Sequence, residues 1–158
     1  MRKIRVYVDT SVFGGTQDEE FRGASLRFFE RVTSGEFVLL LSDITVGELT
    51  DAPENVQEVW RSLQPEQAEE VNIGPEVQEL ADRYVQAGVV SEDSIADAMH
   101  VAAATLAGAD LILSWNFRHI VNFDRIRGYN GVNVALGYRS VTILSPMEIR
   151  YGNEKETI

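Results

Sequence analysis

At 158 residues with 44% apolar side chains, the chain has the size and hydrophobic content of one folded domain, which argues against a disordered polypeptide. It contains no cysteine, so disulfides, thiolate metal sites and a cysteine nucleophile are excluded. A formal charge of −11 argues against general nucleic-acid binding through a basic surface.

The elements follow in chain order. Ile4 to Val8 reads as a strand ending at Asp9, and Gly14-Gly15 marks a loop. Phe21 to Thr33 reads as a helix with Leu26, Phe29 and Val32 on its apolar side, stopped at Gly35. Phe37 to Leu41 is a continuous apolar run, as a strand buried on both faces requires. Ser42 and Asp43 suit the N-cap of a helix carrying Ile44, Val46 and Leu49, and Pro53 suits the first turn of the next. Glu70 to Ile73 is a weaker strand. Pro75 opens a helix that Gly88 stops, Ser91 or Ser94 caps another running to Leu106, and Gly108 ends it. Leu111 to Leu113 and Val141 to Leu144 read as the last strands. The Ile126 to Tyr138 stretch is left unassigned because of its three glycines.

Strands alternating with helices imply right-handed crossovers and an α/β fold, a central parallel sheet of about five strands flanked by helices. Residues 1–150 read as one domain and 151–158 as a flexible tail. The short apolar run before Asp9 is too brief for a signal peptide, and no segment approaches a membrane span. A cytoplasmic protein without membrane contact is expected.

The charge is unevenly distributed. From Asp43 to Asp97 there are 14 acidic side chains against Arg61 and Arg83, whereas Arg118, Arg125, Arg127, Arg139 and Arg150 all follow Asn116. Most of the acids suit a solvated helix surface. The arginines suit planar, bidentate contacts with phosphate.

In open parallel sheets, ligands bind beyond the carboxyl ends of the strands, where strand order reverses. Asp9 stands at such an end. It could equally cap the next helix. Asp97 stands near the start of a helix whose core face is Ile95, Ala98, Met99, Ala102 and Leu106, and a Ser94–Asp97 capping box is compatible with a site role. Glu48 lies one turn into the helix after the second strand and, alone, reads as a surface acid. His100, three residues after Asp97, reads first as a hydrogen-bonded packing residue. Asp110 stands at the opposite end of a strand and reads as structural. Three carboxylates within about 5 Å repel by roughly 3 kcal/mol per pair at an effective dielectric near 20, so a proton or a cation must neutralise such a cluster. All-oxygen ligation points to Mg²⁺ or Mn²⁺.

Tyr7 to Gly14, Ser42 to Leu49, Asp97 to Ala104 and Leu113 to Phe117 together resemble the PIN-domain family, and within it the VapC-type toxins of toxin–antitoxin pairs. The resemblance covers nearly the whole chain. It implies a PIN-like three-layer sandwich and a Mg²⁺- or Mn²⁺-dependent endoribonuclease that uses an activated water and leaves a 5′-phosphate and a 3′-hydroxyl. Asp9, Glu48 and Asp97 match the family's metal-centred acids, and Ser11 and Ser114 match its small hydroxyl residues. Asn116 stands where the family often has a fourth acid, and its amide oxygen could orient a water without supplying charge. The resemblance further implies an RNA substrate, a cognate antitoxin covering the site and a homodimer, with Arg118 and His119 as RNA-contact candidates. Trp115 could stack on a base, although a Trp beside a strand end more often packs.

A receiver domain would want paired acids after the first strand and a lysine after the last. A haloacid-dehalogenase-like phosphatase would want an acid at position 11, which is Ser. The stronger alternative is a catalytically weakened PIN domain that binds RNA or a partner without cutting, favoured by Asn116.

Overall fold

The computed structural model describes residues 2–149; the tail expected at 151–158 lies outside the described residues. Five strands, β1 (Ile4–Val8), β2 (Phe37–Ser42), β3 (Ala68–Val71), β4 (Leu111–Leu113) and β5 (Thr142–Leu144), pair in the order β3-β2-β1-β4-β5. Every pairing is parallel. Seven helices accompany them: α1 (Thr10–Gly15), α2 (Arg22–Thr33), α3 (Asp43–Thr50), α4 (Glu54–Arg61), α5 (Pro75–Gln86), α6 (Ile95–Leu106) and α7 (Phe123–Ala135). The expected α/β sandwich with a five-stranded parallel sheet is therefore the observed one.

Two-residue alternation divides the central strands between two apolar layers. Tyr7, Leu40, Ile112 and Ile143 face α5, α6 and α7 on one side. Val6, Val8, Leu39, Leu41, Leu111 and Leu113 face α1, α2 and α4 on the other. The first connections carry the chain from β1 to β2 to β3, and the later ones bring β4 and β5 to the opposite side of β1. The strand order thus reverses at β1–β4, and a crevice forms at the carboxyl ends of those two strands.

Several details differ from the sequence expectations. The third strand begins two residues early, because a 3-10 turn at Pro65–Gln67 delivers the chain to the edge of β2. The expected Gly14-Gly15 loop is the end of α1. Gly15 packs so tightly that a Cβ there would lie 2.4 Å from Ser25 Oγ and 2.6 Å from Trp115 Nε1. In α2 the buried face is Ser25, Phe28, Phe29 and Val32, while Leu26 is exposed. The unassigned stretch is mostly the helix α7, held by Tyr129 and Asn133, whose buried side chains outweigh the cost of its glycines. Ser94 precedes α6 without capping it, so the capping box does not form. Gly88 and Gly108 take left-handed backbone (φ 77° and 69°) and stop α5 and α6 as expected.

At the amino end of the sheet, Asp110 accepts the Arg5 backbone N–H at 2.8 Å and pairs with Arg2 at 2.9 Å, a structural role as expected. Burial alone would raise the Asp110 pKa, but these contacts hold it below the ordinary aspartate value. A depressed folded-state pKa contributes stability that is complete above the unfolded value and is lost as pH falls through the folded one. Arg2 is largely exposed, so the contribution is screened. Asp110→Asn should therefore cost up to about 1 kcal/mol near neutral pH. It should also flatten the loss of stability below about pH 4, as read from urea unfolding across that range.

Candidate functional site

The β1–β4 register sets Val8 beside Leu113, so the next residues, Asp9 and Ser114, meet at the sheet edge. Ser114 Oγ donates to Asp9 Oδ2 at 2.7 Å, and Ser11 Oγ donates to Asp9 Oδ1 at 2.5 Å. The two hydroxyls are themselves held, since Ser11 Oγ accepts the Trp115 N–H at 2.8 Å and Ser114 Oγ accepts the Asn116 N–H at 2.9 Å. Asp9 occupies the N-cap position of α1, yet its side chain makes no capping bond. The residue is only 6% exposed. Burial pushes its pKa up, against the pull of His100 and of the two serines, and Glu48 pushes it further the same way.

Glu48 reaches the site from α3, whose start is fixed by Ser42 accepting the Thr45 N–H. Its carboxylate is about half exposed and receives His100 Nε2 at 2.8 Å. That hydrogen bond is the chief reason its pKa is lowered. His100 is buried, and its Nδ1 lies 2.7 Å from Tyr7 Oη, which lies 2.7 Å from Ser42 Oγ. The result is an unbroken polar line from Glu48 through α6 and β1 to the cap of α3.

Asp97, in the first turn of α6, accepts Asn116 Nδ2 at 3.1 Å and pairs with His119 Nδ1 at 3.0 Å. Asn116 Oδ1 accepts the backbone N–H groups of Arg118 and His119 at 3.2 and 2.9 Å. Those two donors identify the oxygen and direct it into the turn. The water-orienting role considered for the Asn116 oxygen is therefore not supported by this geometry: the amide couples Asp97 to the 116–119 turn. Asn116 also joins Asp97 to Asp9, through its own N–H and Ser114.

The sheet edge thus gathers Asp9, Ser11, Ser114 and Asn116, with Asp97 joined through Asn116 and Glu48 acting electrostatically on Asp9. Arg118 is exposed beside this group, while His119 is turned onto Asp97. Among the described residues, no three of the Asp, Glu and His side chains converge closely enough to hold a metal ion as they stand. The donor chemistry nonetheless fits a hard cation. A buried carboxylate carries unfavourable desolvation, and a second acid, Glu48, is close enough to worsen it; Thr10 Oγ1, buried with no partner at full hydrogen-bond geometry, acts on Glu48.

Tyr7, Thr10 and the His119–Asp97 pair were not anticipated. The one available signal was Tyr7, a hydroxyl in the middle of an otherwise apolar buried strand. Trp115 is buried, with its indole N–H on Ser25 at 2.8 Å, and so packs rather than presenting a free face.

A model of the PIN domain matches residues 6–126, and the chain belongs to that family. PIN-domain nucleases generally use divalent metals. No curated protein matches the sequence. Among solved structures, the chain is similar to VapBC2 from Rickettsia felis, bound to a DNA fragment from its promoter (TM-score 0.59, 10% identity, covering 90% of this chain and 98% of that one). It is also similar to Mycobacterium tuberculosis VapC20, a sarcin–ricin-loop-cleaving toxin (0.56, 16% identity, 87% and 98%). A third similar structure is FitAcB from Neisseria gonorrhoeae (0.55, 12% identity, 91% and 99%). Among the described residues no helix is long and apolar enough to cross a membrane.

The Tyr7 hydroxyl links two buried polar groups, and removing it takes the partner from His100 Nδ1 and one of the partners from Ser42 Oγ. Tyr7→Phe should destabilise the protein by about 1–3 kcal/mol in denaturant unfolding. An unchanged midpoint would contradict the polar line from Glu48 to Ser42.

Proposed function

We propose that the chain is a Mg²⁺- or Mn²⁺-dependent endoribonuclease, the toxin of a toxin–antitoxin pair, with Asp9, Glu48 and Asp97 as its metal-centred acids. The observation that carries this reading is the buried Asp9 carboxylate, clasped by Ser11 and Ser114 at the point where strand order reverses. Membership of a nuclease family supports it, and the similarity to VapBC2 and VapC20 favours the toxin role.

When bound, the ion would neutralise the acids, lower the pKa of an attacking water and offset charge on the phosphoryl oxygens. The chain's own residues do the rest. Ser11 and Ser114 fix both oxygens of Asp9, so that its unused lone pairs face the crevice. His100 holds one oxygen of the Glu48 carboxylate. Asn116 and His119 hold Asp97, and loading an ion requires Asp97 to share or exchange those partners. Arg118, and His119 if it leaves Asp97, would steady RNA phosphates.

Asn116 supplies no fourth negative charge, which favours a single well-held ion over a pair. An antitoxin reaching the site would bring a basic side chain to the same acids, and the acidic stretch from Asp43 to Asp97 suits such a partner. A homodimer and a cytosolic setting complete the proposal.

Purified protein freed of any partner should cut RNA with Mg²⁺ or Mn²⁺, leaving 5′-phosphate ends, and EDTA should stop it. Asp9→Asn should lower the cleavage rate by at least about a hundredfold, the scale on which loss of a key electrostatic group acts. Equal cutting by that variant would sink the proposal. RNA binding without cutting by the wild-type protein would favour the weakened, binding-only reading.

A further inference from the structure

Immediately beyond Asn116 the chain turns sharply, with the Phe117 N–H on the Trp115 carbonyl at 2.9 Å. The turn sends Phe117 outward, where it is 45% exposed although the rings beneath it are packed. Trp115 and Phe21 stack at 4.1 Å between centroids and 17° between planes. Phe117 leans on both, at 6.0 Å from Trp115 and 6.2 Å from Phe21. The Trp115 indole N–H is anchored on buried Ser25, so the support is part of the core and not a surface cluster. The ring thus stands exposed on a rigid footing, one residue from a group that touches Asp97.

The segment that continues from it is basic, unlike the chain as a whole, although Asp18, Glu19 and Glu20 precede the Phe21 ring it leans on. From Phe117 to Arg127 there are three arginines and one acid, Asp124, in a protein with a net charge of −11. Arg118 and Arg127 are both exposed, and the Arg127 guanidinium lies 5.6 Å above the ring of a second exposed aromatic, Phe123. The exposed aliphatic residues of α7 and its end, Val134 and Leu136, lie away from the Phe123 end. Flat aromatic faces interleaved with guanidinium groups match a single strand, in which bases stack and phosphates pair with arginine. A docking amphipathic helix would call for a groove of aliphatic side chains instead.

We propose that Phe117 is a stacking platform for one unpaired base of a single-stranded RNA, set on the Phe21–Trp115 ring pair, with Arg118 on the adjoining phosphate. This rests on the nuclease reading only for placing that base beside the scissile phosphate; the platform itself binds RNA whether or not the strand is cut. It also moves base stacking from Trp115, which is buried, to the ring that Trp115 supports.

The test is direct binding of a short single-stranded RNA carrying one 2-aminopurine, whose fluorescence falls when the base stacks, to the full chain without added metal. Cleavage with Mg²⁺ is followed in parallel. Wild type should quench the probe, and Phe117→Ala should weaken binding roughly five- to hundredfold, the range for loss of one stacked base. Phe117→Leu should be nearly as weak, and Phe117→Trp should restore binding. Replacing the stacked nucleotide by an abasic one should bring wild type down to the Ala variant. Unchanged binding by Phe117→Ala or full retention by Phe117→Leu overturns the platform, while cleavage lost in Asp9→Asn would leave the nuclease reading intact. Quenching without cleavage would uphold the platform and overturn the nuclease reading. Selective loss of a protein partner by Phe117→Ala, with RNA binding unaltered, would overturn the platform in favour of protein docking.

Discussion

A carboxylate withdrawn from water costs several kcal/mol unless hydrogen bonds or an opposite charge replace the lost hydration. Asp9 is such a carboxylate, and much of the sheet edge is organised around meeting that cost. The parallel register of β1 and β4 brings Ser114 to one oxygen, and the first turn of α1 brings Ser11 to the other. Each serine is oriented in turn by a backbone N–H from the strand-end segment Trp115–Asn116. Shift β4 by one residue and Ser114 would point to the opposite face, leaving Asp9 without one of its two donors. The fold and the site are therefore one constraint seen from two sides.

The other acids are held by different means, which matters for what the site can do. Glu48 is tied through His100 and Tyr7 to the cap of its own helix, so its position depends on β1, α3 and α6 together. Asp97 is tied to Asn116 and His119 on the turn after β4. These contacts give each acid its own donor. Asn116 has a plain role in that arrangement. Its oxygen caps the 116–119 turn and its nitrogen neutralises part of Asp97's demand for donors, whereas an aspartate there would face Asp97 with like charge.

Sequence patterning revealed the architecture because its signals were local. The apolar runs at 37–41 and 111–113 read as buried strands and are so, and Gly88 and Gly108 stop their helices where left-handed backbone is needed. The ends of elements were less legible. Leu26 carries the helical period yet faces solvent, because Phe28 fills the space against β2 with more apolar surface. The helix over Phe123–Ala135 was obscured by glycines whose cost only tertiary packing offsets. Position after strands and caps made Asp9, Glu48 and Asp97 candidates, and the family resemblance ordered them. Their holding partners were not readable, since Tyr7–His100 and Asn116–Asp97 join residues 93 and 19 apart in sequence. Contacts of that kind follow from how β1, α6 and β4 stack, which no local period encodes.

The proposed function requires the three acids to share one divalent ion despite their separate protein partners. Calorimetric titration of the partner-free protein with Mn²⁺ tests it most directly. The account predicts a single binding event per chain, strongly weakened in Asp9→Asn and in Asp97→Asn and weakened in Glu48→Gln. Undiminished Mn²⁺ binding in Asp9→Asn, or no binding by the wild-type chain, would contradict it.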